Sequence, residues 1–239
     1  MLVPVDLHIH SCLSPCADDD MTPNNLVNMA ALAGVKILAV TDHNSALNLP
    51  ACKAVADSIG IALLPGIEAT TREEVHILCY FPAVDEALAF GEALRGRLGD
   101  VENAPRLFGN QLILDEYDNA VGSEDRLLIQ ATSLSVDAMA AMCREHGGLP
   151  VPAHINRGSN GLLNALGFLP KTRFAAVEVS RALPLSVGLD GYHELHSSDA
   201  HRLEALTEPT QHLELVEATA AAAFDMLRRW YDERAIANK

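Results

Sequence analysis

Short apolar runs that end in histidine or a carboxylate recur along this chain, separated by segments of helical periodicity, and few folds satisfy that alternation. The first run closes with Asp6-Leu7-His8-Ile9-His10. Successive side chains of a strand point to opposite faces, so Asp6, His8 and His10 share one face while Val5, Leu7 and Ile9 share the other. Two imidazoles on one face form a metal-binding pattern, because neutral imidazole is the commonest side-chain ligand. Asp6 is expected to support it by holding one ring in a single tautomer.

The unit then repeats. Residues 23–34 read as a helix with Pro23 in its first turn and Gly34 as its stop. Residues 35–40 are an apolar run leading to Thr41-Asp42-His43, residues 50–60 are helical in pattern, and residues 61–64 lead to Gly66-Ile67-Glu68. Residues 75–81 form a fourth run, containing His76, followed by an amphipathic helix over 84–98. Strands and helices alternating at this length imply parallel βα units. The rhythm is lost over about residues 100–132, where Asn, Asp, Gly and Glu are frequent, and an insertion or small cap is expected there. It resumes with a helix over 135–146, strands at 149–154, 175–180 and 194–201, and a terminal helix over 218–237.

The length of 239 residues and the apolar fraction of 49% suit one α/β domain spanning 1–239 with a large core. No stretch of about 18 apolar residues suggests a membrane span. No basic segment precedes the first strand, so the expected location is the cytoplasm. Five scattered cysteines are expected to be reduced, with Cys12 and Cys16 read as small thiols in a tight loop rather than zinc ligands. A formal charge of -15 disfavours tracking along a nucleic-acid backbone but leaves nucleotide substrates open.

In parallel α/β proteins functional groups gather where strands end and βα loops begin. Here those positions carry His8, His10, His43, Glu68, His154 and the pair Asp199 and His201, whose spacing again puts both on one face. Asp18 lies in the first loop, and His76 falls at the start of its run, against the pattern. Singly these residues have structural explanations: Glu68 as a partner of Arg72, Asp199 as a helix cap. Together they would be costly to bury unless bound cations satisfy them jointly. His146, in the last turn of its helix, is assigned a structural role instead.

His8-Ile9-His10, Thr41-Asp42-His43, Gly66-Ile67-Glu68, His76, Pro152-Ala153-His154 and Ser198-Asp199-Ala200-His201 resemble, in order, the motifs of the PHP (polymerase and histidinol phosphatase) family of metal-dependent phosphoesterases. The resemblance implies a distorted seven-stranded β/α barrel with two to three divalent ions (Zn, Mn or Fe) at the strand ends. By that resemblance His8, His10, Glu68 and Asp199 hold one ion, and Glu68 bridges to a second held by His76 and His154. Asp18, His43 and His201 hold the third. The first loop departs from many relatives in offering Asp18, Asp19 and Asp20 where they have a histidine.

Such a cluster lowers the pKa of a bridging water, so attack of hydroxide on phosphorus is expected, with Glu68, Asp199 and His201 as the catalytic residues. Arg157 and Arg181 are the candidates for binding substrate phosphate. The expected substrate is a phosphomonoester of a small metabolite or nucleotide. Exonuclease action on the 5′ end of short oligonucleotides is the alternative, and a metal-binding regulatory module without catalysis is another. Amidohydrolase-type C–N cleavage fits less well, because none of the lysines, Lys36, Lys53, Lys171 and Lys239, is placed at a strand end.

Overall fold

A computed structural model describes residues 1–189 and 191–237; Lys239 lies outside them. β1 (Leu2–Ile9) opens the chain, and α1 (Pro23–Leu32) follows with Thr22 as N-cap and a proline in its first turn. β2 (Ile37–Val40) leads to α2 (Leu49–Ile59), which Gly60 ends in the left-handed conformation at φ 74°. β3 (Ala62–Leu63), β4 (Gly66–Thr70) and β5 (His76–Tyr80) come in quick succession. α3 (Val84–Arg95) carries Asp85 and Glu86 in its first turn and Arg95 in its last, each favourable to the helix dipole.

The irregular middle contains α4 (Pro105–Phe108) and a hairpin of β6 (Leu112–Leu114) and β7 (Ala120–Ser123). Then come α5 (Val136–Glu145), β8 (Leu149–Pro152), α6 (Leu162–Leu166), β9 (Val177–Glu178), β10 (Glu194–Leu195), β11 (Gln211–Glu214) and α7 (Ala220–Ala237). None of the described helices is long and apolar enough to cross a membrane.

The expectation of uniformly parallel βα units is corrected by the sheets. β11-β1-β2-β3 form one sheet, parallel except for β1 against β11. β4, β5 and β8 form a second sheet that is antiparallel throughout, and β9 and β10 pair in parallel. Five residues, 71–75, separate β4 from β5. Such a link is far too short for a parallel crossover, which needs about a dozen residues or more. The described strands thus form several small sheets within a mixed α/β fold and no closed barrel. Isolated parallel bridges, Ile9 to Ala200 and His43 to Glu68, tie the segments after β10 and β2 to β1 and β4.

The antiparallel hairpin explains why His76 stands at the start of its strand. Thr70 pairs with His76 and Glu68 with Leu78, so Glu68 and His76 are diagonal neighbours on one face at one end of the sheet. Two apolar clusters flank the sheets. The larger packs α1, α2, α3 and α5 against strand residues such as Ile9, Val40, Ile67 and Ile77. The other packs α7 residues Phe224, Leu227 and Tyr231 with Val5, Leu7, Leu78 and Val151.

Tyr80, fully buried on β5, donates its hydroxyl to the Leu7 carbonyl at 2.8 Å and so ties the second sheet to β1. Tyr80→Phe is expected to lower stability by about 1 to 3 kcal/mol, the cost of a lost buried hydrogen bond. Urea unfolding followed by circular dichroism measures it.

Candidate metal centre

The ends of β1, β2, β4 and β8 and the start of β5 converge with the loop after β10. His8, His10 and Glu68 are at most 1% exposed, His43 3%, His154 2% and His76 7%, so this is a buried polar centre. Glu68 lies in the middle. Its Oε1 is 2.8 Å from His76 Nδ1, 3.1 Å from His154 Nε2 and 3.3 Å from His8 Nε2. Its Oε2 is 3.1 Å from His43 Nδ1 and 3.2 Å from His10 Nε2. Asp199 Oδ1 stands 3.2 Å from both His8 Nε2 and His10 Nε2.

Ring orientations follow from the partners on the far side of each imidazole. His8 Nδ1 lies 3.1 and 3.2 Å from the two oxygens of Glu178, acceptors only when ionised, so Nδ1 carries a proton and donates it. His10 Nδ1 is 2.9 Å from Ser14 Oγ, which itself donates to Asp42 at 2.7 Å and must therefore accept from the ring. In the neutral rings both Nε2 atoms are then lone-pair acceptors, yet they face each other at 3.1 Å. Asp199 Oδ1, His43 Nδ1, His76 Nε2 and His154 Nδ1 are buried without a hydrogen-bond partner. Facing lone pairs beside carboxylates are the donor set that a divalent cation satisfies, and these residues fit one.

Three groups of ligand atoms lie within 4.8 Å of one another: His8, His10, Glu68 and Asp199; His43, Glu68 and His76; and His10, His43 and His201. The first group is the one expected from the sequence. In the second, His43 stands with Glu68 and His76, and His154 approaches through its contact with Glu68. The third shares His10 with the first and His43 with the second, and does not contain Asp18.

Asp18 is not brought to the centre. Its backbone N–H donates to the His201 carbonyl at 3.0 Å, while its half-exposed carboxylate faces Arg202 Nε at 3.6 Å. Cys16 is exposed on the surface of the same loop, and neither it nor Cys12 joins a ligand group among the described residues. Burial and the nearby Asp42 push the Cys12 thiol up to about 12. Arg157 Nη1 reaches Asp199 Oδ2 at 2.6 Å. Arg181 is exposed in the turn after β9 and takes no part in the ion pairs of the centre. His146 stays apart, at the C-cap of α5, with Nδ1 2.9 Å from the Met142 carbonyl.

The support expected of Asp6 belongs to Glu178. Asp6 instead accepts the Ser198 N–H at 3.0 Å and so holds the loop that presents Asp199. Glu178 grips His8 and also accepts the His154 N–H at 2.9 Å. Its sequence signal was a single charge inside the apolar run Phe174-Ala175-Ala176-Val177-Glu178-Val179. Two of the residues named here adopt the left-handed region without being glycine, His154 at φ 27° and Asp199 at φ 53°. Such strain persists where surrounding structure imposes it, and it clusters at functional sites.

Burial disfavours charge on every one of these groups, and the outcome depends on the neighbours. For His8 the carboxylates of Glu178, Asp199 and Glu68 override burial and raise its pKa well above the usual range. The adjacent carboxylates of Asp199 and Glu68 likewise raise His10 to about 9. His43 is lowered well below the ordinary imidazole value by burial, and His201 falls to about 4 by burial and the charge of His10. Glu68 stays ionised against burial because His76, His8 and His43 surround it.

Comparison with known proteins bears on the family. A family model described as PHP domain matches residues 6–146. The chain belongs to the PHP domain family. It is 29% identical over 150 residues to a 5′-3′ exoribonuclease of Haemophilus influenzae, covering 56% of this chain and 54% of the relative. It is 36% identical over 77 residues to a 3′,5′-nucleoside bisphosphate phosphatase of Chromobacterium violaceum, covering 31% and 26%. Among solved structures, the lesion-specific endonuclease EndoQ of Pyrococcus furiosus superposes with a TM-score of 0.67 at 20% identity, covering 94% of this chain and 55% of that one. That likeness is one of fold. The chain spans about half the length of the exoribonuclease it matches.

Two outcomes are expected. Glu178→Gln should weaken metal binding about 10- to 100-fold, the usual effect of losing an outer-shell carboxylate, and competition against a chelator reads it. Burial raises the Asp6 pKa from 3.8 to about 6, so between those values the folded chain binds more protons than the unfolded one. The resulting penalty is absent below about pH 4 and grows as pH rises through 6. In metal-free protein, Asp6→Asn should therefore remove a loss of stability between pH 4 and 6.5 that the unmodified chain shows in unfolding titrations.

Proposed function

We propose that this chain is a metal-dependent phosphoesterase that hydrolyses a phosphomonoester of a small metabolite or nucleotide. The observation that carries the reading is the convergence of five buried imidazoles on the two oxygens of Glu68, with Asp199 beside them. His8, His10, Glu68 and Asp199 would hold one cation and Glu68 with His76 and His154 a second, which leaves His43 and His201, completed by water, for a third. This makes two to three ions of Zn, Mn or Fe. When bound, such ions make water a stronger acid and neutralise charge on phosphoryl oxygens.

The chain's own groups complete the chemistry. Glu68 belongs to both ligand groups, with Oε1 near His8 and His76 and Oε2 near His10 and His43, and so holds the two groups in register. Asp199 turns Oδ1 to the histidines and Oδ2 to Arg157, which places the guanidinium at the edge of the centre. Arg157 is two-fifths exposed and has donors to spare for a phosphate oxygen. Arg181 is the second candidate for that role. His201, a quarter exposed, directs Nδ1 at the Asp199 carbonyl 2.9 Å away, which leaves Nε2 as a lone pair. With its pKa held near 4 it is neutral at pH 7, the form that would ligate a third ion; with that position empty, Nε2 is free to take a proton from water.

The reading includes a distorted barrel, supported by the bridges from His43 to Glu68 and Ile9 to Ala200, which tie the segments after β2 and β10 to β4 and β1 around the centre. It also includes a single domain in which residues 100–132 are an insertion. The segment from Phe108 to Asp118 is seated on the first loop, through Leu112 N to the Cys12 carbonyl and Asn110 to Asp19, and we assign it a part in substrate choice. A cytoplasmic location rests on the sequence alone. A full ligand set disfavours a purely regulatory module. Removal of nucleotides from the 5′ end of short oligonucleotides is the second reading, favoured by the similarity to the Haemophilus exoribonuclease.

Turnover of p-nitrophenyl phosphate by metal-loaded protein with added Mn²⁺, against the metal-free form, tests the reading; equal rates from the two would refute it. A nucleoside bisphosphate assayed beside a 5′-phosphorylated oligonucleotide separates the two substrates. Glu68→Gln should abolish most turnover with little loss of folding, whereas His146→Gln should leave it nearly intact. Arg157→Ala should keep its metals and lose about tenfold to a hundredfold in kcat/KM, the weight of a charge-assisted contact, with Arg157→Lys recovering part.

A further inference from the structure

Asn48 precedes α2 at the N-cap position but makes no capping bond with its side chain. Fully buried, its amide pairs instead with β6 in the inserted segment: Nδ2 donates to the Leu112 carbonyl and Oδ1 accepts the Leu114 N–H, both at 3.0 Å. One donor and one acceptor contact with backbone of known polarity fix which amide atom is which. Nδ2 also donates to Ser11 Oγ at 3.0 Å.

From there each proton has one direction. Ser11 Oγ, already receiving from Asn48, donates to Asp42 Oδ2 at 2.6 Å. Asp42 Oδ1 accepts the Ser11 N–H and the Ser14 hydroxyl, both at 2.7 Å. With its own proton committed to Asp42, Ser14 Oγ accepts the His43 N–H at 3.1 Å and the His10 Nδ1–H at 2.9 Å. His10 Nε2 is thereby left toward Glu68 and Asp199, each 3.2 Å away.

We propose that Asn48 is a positioning residue for the metal centre: anchored on β6, it orients the Ser11 hydroxyl toward Asp42 and so holds that carboxylate where it fixes Ser14 as the acceptor for His10 Nδ1–H, presenting Nε2 to the ion. The inserted segment is then part of the metal centre's support. The inference rests on reading the cluster as a metal centre, and its test measures metal binding without turnover.

Asn48→Asp keeps the shape and replaces the donor by an acceptor, which draws the Ser11 proton away from Asp42. Calorimetric titration of Mn²⁺ into metal-free protein should show the tightest equivalent weakened about 10- to 100-fold. Ser11→Ala breaks the same relay with a smaller change and should weaken binding in the same way, which keeps the test open if Asn48→Asp does not fold. Asn103→Ala removes a bond within the inserted segment, from Nδ2 to the Gly109 carbonyl, without touching the relay, and should stay within about threefold of the unmodified protein. Affinities for Asn48→Asp and Ser11→Ala within about twofold of the unmodified protein overturn the relay, and so does an equal loss in Asn103→Ala. An unmodified protein that takes up no Mn²⁺ overturns the metal-centre reading itself.

Discussion

Everything around the centre answers to one electrostatic constraint: two imidazole nitrogens 3.1 Å apart, buried against two carboxylates, with no lysine among them. Water would solvate such a group cheaply, but the interior does not. The neighbouring features make sense as ways of enforcing this arrangement. Glu178 and Ser14 hold the two rings from behind, Asp6 ties down the loop bearing Asp199, and positive φ angles at His154 and Asp199 aim those side chains inward. Rigid support of this kind is what a site needs if its ligands are to meet an ion without reorganising.

Much of the candidate centre was legible because its polar residues stand in apolar strands or just past their ends, and periodicity makes such positions visible at His8, His10, His43, Glu68 and His154. Helices were legible from their punctuation, as with Thr22-Pro23 before α1 and Gly60 after α2. The direction of strands was less so. Alternating runs suggested parallel units, although the five-residue link between β4 and β5 carried the contrary signal. β11 was not legible because only Leu213 of Gln211–Glu214 is apolar, and the strand acquires its place by pairing with β1.

The errors at the site share a cause. A strand's alternation says which face a side chain takes, not what stands opposite it across the fold. Asp6 lies on the face of His8 and His10, yet the partner in reach is the backbone of Ser198, brought from the far end of the sequence. Glu178 comes from an equally distant strand to take the role assigned to Asp6. Asp18 failed for the complementary reason: it sits in a loop, where spacing constrains little, and the backbone bond to His201 turns it outward toward Arg202.

The first ligand group joins β1 to the loop bearing Asp199, with the bridge from Ile9 to Ala200 beside it. An ion held there is a cross-link between segments near the two ends of this sequence. Closing so long a loop removes much of the freedom of the unfolded chain, and the loss is larger for longer loops. Occupancy of that single position would therefore couple the stability of β1 and of the loop after β10 to that of everything between them. Losing the ion would loosen the whole fold at its seam, in addition to silencing one site.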